Sequence, residues 1–157
     1  MIVRRYTASL NLAAAAAGAA LAELKAGTKN QLLVREIGLF LTAATSTTVG
    51  LARATAQGTP TTSQAGLQFN TDDVAGEALL ASVWSAAPTF AAPRMRRIVL
   101  PATIGASVVW SFVNERSPND DRKPLIVKPS TSLVLVNDGG AAAGILAAYI
   151  TWDELVP

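Results

Sequence analysis

Apolar and polar residues alternate with a period of two along several parts of the chain. Trp110 and Phe112 share one face of residues 106–113, and the same alternation recurs in residues 132–137 and 144–152. These segments are rich in β-branched and aromatic residues, and Gly, Pro, Asp and Ser separate them. Alternation of this kind predicts half-buried β-strands rather than helices.

Three further segments fit the same pattern. Residues 32–41 and 45–54 alternate less regularly, and residues 94–102 predict a strand whose outward positions are basic. Short strands divided by turns predict an all-β fold, a single β-sandwich or barrel. Residues 55–77 are polar and contain Pro60, so they predict one long loop, with a turn of helix near residues 72–80.

The N-terminal segment, residues 2–26, has three possible interpretations. Arg4, Arg5 and the alanine run suggest a signal peptide, but the run lacks leucines and a clear cleavage point. Alanine favours a helix, although the leucines form no stripe along one face. We prefer a strand, a turn around Ala17 and Gly18, and a second strand, because the remaining segments predict β structure.

Composition limits the chemistry and suggests assembly. The 157 residues suit one domain, residues 1–157, and only 15% of them are charged while 50% are hydrophobic. Such a surface favours burial against partners. The chain has no cysteine and no histidine, so it lacks thiolate nucleophiles, the usual neutral-pH base and the commonest metal ligand. We therefore expect no enzyme activity, cofactor or metal.

A few charged groups are candidate sites. The three adjacent carboxylate pairs are predicted to be solvated in loops or at the terminus: Asp72–Asp73, Asp120–Asp121 and Asp153–Glu154. Residues 70–73 and 119–121 are weak candidates for calcium because neither has the spacing of a known calcium loop. A second predicted loop, residues 114–124, holds the densest charge. We interpret it as a solvated connection.

Arginines and aromatic residues supply the candidate contact sites. Arg94, Arg96 and Arg97 form the one dense basic cluster of a chain whose net charge is only +2. Three arginines on a strand more often protect a sheet edge than bind nucleic acid. Trp110 is predicted to fill the core, whereas Trp152, close to the chain end, is the better candidate for an exposed or interfacial aromatic.

The order of segments resembles a group of small virion proteins encoded by tailed bacteriophages and prophages. The resemblance covers about residues 4–154, and its best pieces are VREIGLFL (34–41), RRIVLPA (96–102), PSTSLVLVN (129–137) and AAYITWDE (147–154). It implies a single jelly-roll β-sandwich, and it implies a protein that decorates or cements the capsid, often as a homotrimer.

From this resemblance we expect a location on the capsid surface. The expected partners are the major capsid protein, other virion proteins and further copies of the chain, without nucleic acid or membrane. The candidate interface residues are Arg94, Arg96, Arg97 and Trp152. The alternative is a carbohydrate- or receptor-binding module of a tail or fibre, in which aromatic side chains such as Trp152 would stack on sugars.

Overall fold

The computed structural model describes residues 2–112 and 124–157, and all regular secondary structure in these residues is β-strand. The expectation of an all-β chain is confirmed. In chain order the strands are β1 (Ile2–Leu12), β2 (Ala20–Lys25), β3 (Gln31–Leu41), β4 (Thr47–Ala56), β5 (Thr59–Ala65), β6 (Leu67–Gln68), β7 (Leu79–Ala86), β8 (Thr89–Phe90), β9 (Arg96–Leu100), β10 (Ser107–Ser111), β11 (Leu125–Val127), β12 (Ser132–Asn137) and β13 (Leu146–Val156).

The strands form two antiparallel sheets that pack against each other as a β-sandwich. Sheet 1 has the order β10-β3-β13-β1-β6, with β11 also paired to β3. Sheet 2 has the order β5-β7-β2-β12-β4-β8, with β9 also paired to β4. Successive side chains of a strand point to opposite faces, so each sheet places alternate residues in the shared core.

Strand β13 illustrates how the alternation builds the core. Leu146, Ala148, Ile150 and Trp152 are all buried, and Tyr149 lies on the opposite face. The largest fully buried side chains come from both sheets: Trp152, Tyr6, Leu12, Leu24, Leu32, Ile37, Leu39, Leu41, Leu51, Leu80, Leu100 and Leu133. Burial of this apolar surface supplies the main driving force for folding.

The N-terminal segment forms two strands joined by a turn, as preferred from the sequence. Strand β1 pairs with β13 from Ile2 to Leu12 without a register shift. The turn contains Gly18, whose φ of 74° is a left-handed conformation that glycine adopts without strain. Strand β2 follows it in the other sheet. The helix interpretation of the alanine run is therefore wrong.

The predicted long loop at residues 55–77 is wrong. Strand β4 extends to Ala56, and the region contains β5 and β6. Its Thr- and Ser-rich sequence carries no buried stripe because β5 is an edge strand that is mostly exposed. Pro60 is compatible with that position, since an edge strand leaves one side of its backbone unpaired. The polar residues and the proline therefore predicted a loop, although the segment forms a strand that is stabilised by pairing with β7.

Two other predictions concern segments that connect strands, residues 72–80 and residues 114–124. No helix forms near residues 72–80, where the chain instead enters β7 at Leu79. Burial of Ala78 and Leu80 favours this outcome over an exposed helical turn. The charged segment predicted as a loop at 114–124 lies outside the described residues, except for Pro124.

Residues 57–94 form an excursion between β4 and β9, and the buried carboxylate of Glu23 attaches its first part. Glu23 accepts hydrogen bonds from the backbone N–H of Gly58, the indole N–H of Trp84 at 2.9 Å and the hydroxyl of Ser132 at 2.6 Å. A fully buried carboxylate is tolerated when donors surround it. Glu23 therefore joins β2, β12 and the excursion.

A second buried carboxylate, Glu154, attaches the middle of the excursion. It accepts the backbone N–H groups of Glu77 at 3.1 Å and Ala78 at 2.9 Å, and the side-chain amide of Asn30 at 2.9 Å. Between these two attachments the chain crosses from sheet 2 to sheet 1 at Gly66. A Cβ atom there would lie 2.6 Å from Cζ2 of Trp152, so this crossing requires glycine.

Replacing Trp152 tests the packing of the core. Trp152 is 0% exposed and stacks on Tyr6 with ring centroids 6.2 Å apart. We expect Trp152→Ala to lower the free energy of unfolding by about 3–5 kcal/mol, measured by urea denaturation. Val109→Ala is the control: Val109 is 47% exposed, so the change should stay within about 0.5 kcal/mol. Equal effects would contradict the burial of Trp152.

Candidate binding face

The face of sheet 1 that points away from the core is broad and has few charges. Cross-strand pairing arranges its side chains in rows across β1, β13, β3 and β10. The rows contain Asn11, Ala147, Phe40 and Ser107, then Ser9, Tyr149, Gly38 and Val109, then Thr7, Thr151, Glu36 and Ser111. We call this surface the outer face.

An aromatic pair occupies the middle of the outer face. The rings of Phe40 and Tyr149 stack with centroids 6.0 Å apart. Tyr149 lies across Gly38, where a side chain would collide with its ring. The phenol donates a hydrogen bond to the carboxylate of Glu36, and this bond raises the pKa of Tyr149 to about 12. The tyrosine ring is thus held flat against the sheet beside the exposed Phe40.

One end of the outer face carries a closed ion-pair group. Asp153 is fully buried, and its oxygens accept hydrogen bonds from Nε of Arg5 at 2.8 Å and Nε of Arg35 at 2.7 Å. Hydrogen bonding to Asp153 raises the pKa of Arg5. With Glu36 nearby, the two cations are balanced by two carboxylates. The outer face is therefore close to neutral.

The short strand β6 extends the apolar surface past β1. Leu67 pairs with Thr7, and the N–H of Phe69 bonds to the carbonyl of Arg5. Leu67 and Phe69 are 60% and 61% exposed, which is high for large apolar side chains. A depression of about 310 Å³ lies between Phe69 and Ser111. A second depression, of about 270 Å³, lies beside Phe40 and Tyr149.

The three arginines predicted as a cluster do not form one patch. Arg94 and Arg97 both pair with Asp138, with Nε of Arg94 3.2 Å from Oδ1 of the carboxylate. The hydrogen bond from Arg97 lowers the pKa of Asp138. Arg96 instead lies over the ring of Phe112, with Cζ 4.6 Å from the ring centroid. Adjacent strand residues point to opposite faces, which separates Arg96 from Arg97.

The expected exposure of Trp152 is wrong, because the side chain is fully buried. Alternation along β13 places it on the core face, although it lies only five residues from Pro157. Trp110 is buried as predicted, and Trp84 is partly buried with its indole N–H bonded to Glu23. The three tryptophans therefore form no shared exposed platform.

The carboxylates predicted to be solvated differ in their burial and in their bonding partners. Asp153 and Glu154 are buried in β13, so their predicted solvation is wrong, and they bond to different partners. Asp73 lies 3.6 Å from Nε of Arg4, and the residue 70–73 turn is closed by its own hydrogen bonds. Asp120 and Asp121, with the 119–121 candidate, lie outside the described residues.

The described residues contain neither a metal-binding cluster nor a membrane-spanning helix. In residues 2–112 and 124–157, no group of three or more Asp, Glu, His or Cys side chains is arranged to hold a metal ion. Within the same part of the chain, no helix has the length and apolar character needed to cross a membrane.

The sequence arguments missed the apolar residues of the outer face. Leu67 and Phe69 lie in the segment assigned to a loop, although they alternate with Gln68 and Asn70. Phe40 and Tyr149 lie opposite the core residues of their strands, as alternation along β3 and β13 requires. Their contact depends on the register between β3 and β13, which the sequence does not reveal.

Comparisons with known proteins give little further information. The sequence matches no protein-family model and no curated protein. A chain from a solved structure, described as "Crystal structure of the T13 IBDV viral particle reveals a missing link in icosahedral viruses evolution", is 13% identical with a TM-score of 0.21. The likeness covers 99% of this chain and 40% of that chain. A TM-score this low does not establish a shared fold.

The tyrosine environment gives a pH-dependent prediction. Burial raises the pKa of Tyr6, and the bond to Glu36 raises that of Tyr149 from 10.0 to about 12. Because the folded chain holds these protons more tightly, its free energy of unfolding should fall as pH rises from about 10 through about 12. Tyrosinate absorbance of folded Tyr6→Phe, which reports Tyr149 alone, should stay low at about pH 11 and rise on unfolding. Substantial ionisation of folded Tyr6→Phe at about pH 10 would contradict the Tyr149–Glu36 bond.

Proposed function

We propose that this chain is a non-enzymatic virion structural protein that decorates or cements a bacteriophage capsid. The observation that carries the proposal is the outer face of sheet 1, where Phe40, Val109, Leu67 and Phe69 are exposed on one nearly neutral sheet face. Large apolar side chains exposed on one face favour contact with another protein. The occupant we propose is the major capsid protein.

The strand order supports a jelly roll. Eight strands are divided equally between the sheets: β1, β3, β10 and β13 in sheet 1, and β2, β4, β9 and β12 in sheet 2. Within the sheets they are arranged β1-β13-β3-β10 and β2-β12-β4-β9. This arrangement agrees with the double Greek-key order of jelly rolls, a fold that viral capsid and lectin domains share, and supports the proposal of a jelly roll. Strands β5 to β8 are then an insertion between β4 and β9.

Polar groups within the sandwich support a structural role. The three buried carboxylates, Glu23, Asp153 and Glu154, each accept several hydrogen bonds from nearby side chains or backbone N–H groups. Groups held in this way stabilise one conformation. This arrangement fits a protein that works through its surface.

The proposed partners follow from charge and symmetry. Two of the three clustered arginines share an ion pair with Asp138, which lowers the net positive charge there and weakens the case for nucleic acid binding. We propose a homotrimer at the capsid surface, because closed symmetry repeats one surface patch about an axis. The alternative, a carbohydrate- or receptor-binding module, loses its main sequence support because Trp152 is buried.

The direct test is the location and copy number of the chain in purified particles. Mass spectrometry and a density map of the intact particle should find hundreds of copies on the head. A handful of copies at the tail would support the receptor-binding alternative. Absence from particles that are otherwise complete would contradict both.

A matched pair of variants tests which face binds the capsid. Val109 on the outer face and Val83 on β7 of sheet 2 are 47% and 48% exposed. We expect Val109→Ser combined with Phe69→Ser to weaken binding to capsids lacking the protein about tenfold or more, because the two changes remove apolar contacts at both sides of the outer face. Val83→Ser should bind normally, and cosedimentation measures both. Equal binding by all variants would exclude the outer face as the capsid contact.

A further inference from the structure

One edge of sheet 1 is open along the second half of β1. On one side, β1 pairs with β13 from Ile2 to Leu12. On its other side, β6 pairs only with Tyr6 and Thr7, and the N–H of Phe69 adds one bond to the carbonyl of Arg5. The chain then leaves this edge for sheet 2 at Gly66. Residues 8–12 therefore have no neighbouring strand in the described part of the chain.

The bond from Phe69 fixes which backbone groups point outward. In an antiparallel strand, the N–H and C=O of one residue point to the same side, and successive residues alternate. Since the carbonyl of Arg5 faces β6, the N–H and C=O of Ser9 and Asn11 also face that side. Both residues are exposed, and no described residue bonds to these backbone groups. The edge thus presents two donors and two acceptors to solvent.

Two of the other sheet edges have features that discourage pairing. The β5 edge carries Pro60 and three register shifts, and the β9 edge carries Arg96 and Arg97. Proline, bulges and charges are the usual protection of exposed edges. The β10 edge is followed by residues outside the described part of the chain. Residues 8–12, Ala-Ser-Leu-Asn-Leu, contain no proline and no charge.

We propose that this edge pairs with the same edge of a second copy, antiparallel, about a two-fold axis at Leu10. In that register Ser9 of each copy lies opposite Asn11 of the other. Each exposed N–H then faces an exposed C=O, so the edge is self-complementary. Leu10, which packs partly against the core, meets its own copy and extends the apolar interior across the contact.

Charge supports a second copy as the occupant. Like charges placed opposite each other destabilise a strand pair, and residues 8–12 bring none together. The nearest charged residue of β1 is Arg5, which is paired with Asp153. The contact is two-fold and does not depend on capsid binding. It can join single chains or preformed trimers in pairs.

Cysteine cross-linking tests the register, because the chain has no cysteine of its own. Leu10 faces its copy in a non-hydrogen-bonded pair, where Cα atoms are about 4.5 Å apart and a disulfide fits. Asn11 and its copy lie diagonally, about 7–8 Å apart, which is too far. Under mild oxidation, Leu10→Cys should give mostly linked pairs of the 16.2 kDa chain on a non-reducing gel. Asn11→Cys should give at least tenfold fewer.

Substitutions at Asn11 separate backbone pairing from side-chain contact. Asn11→Pro removes an N–H that points away from β13, so it should leave the sandwich folded and halve the mass measured by light scattering. Asn11→Ala keeps the N–H and should keep the parent mass. Thermal unfolding checks that both variants fold.

Three outcomes would overturn the proposal. The first is equal cross-linking of Leu10→Cys and Asn11→Cys, and the second is the same mass for folded Asn11→Pro and the parent. The third is a parent mass of one chain or an odd number of chains at concentrations where the particle assembles. Capsid binding by the outer face is measured separately, so either idea can fail alone.

Discussion

Two buried carboxylates determine how the excursion between β4 and β9 is attached to the sandwich. Glu23 and Glu154 lie in opposite sheets, and each accepts backbone N–H groups from residues 57–94. Without them, these donors would be buried unpaired, which costs roughly 1–3 kcal/mol each. The position of β6 depends on this attachment, and β6 supplies the exposed Leu67 and Phe69. The candidate binding face therefore depends on ionic groups that lie deep inside the molecule.

Much of the fold follows from periodicity. Alternation predicted the half-buried strands that correspond to β10, β12 and β13, and these segments in turn favoured two strands over a helix in the alanine-rich N-terminal segment. Alternation along residues 144–152 also places Trp152 on one face with Leu146 and Ile150. The expectation that Trp152 is exposed depended on its position near the chain end, and it is wrong. A period-two pattern reports burial better than distance from a terminus does.

Other features could not be predicted because they depend on pairing between distant segments. Asp153 and Glu154 were predicted to be solvated but are buried. Arg35 of β3 donates a hydrogen bond to Asp153, and the backbone N–H of Ala78 donates one to Glu154. The polar β5 is a strand only because β7 lies beside it. The Phe40–Tyr149 pair likewise requires the register between β3 and β13. The register between strands that are distant in the sequence cannot be predicted from one sequence.

The full-length pairing of β1 with β13 has a topological consequence. Ile2 lies opposite Val156, so the two chain ends leave the sandwich at one corner. Leu12, at the far end of β1, lies opposite Leu146. Any sequence fused to either end would emerge about 30 Å from that far end, at the rise of roughly 3.3 Å per residue typical of a strand. Peptides could therefore be displayed from that corner while the opposite half of the strand stays uncovered.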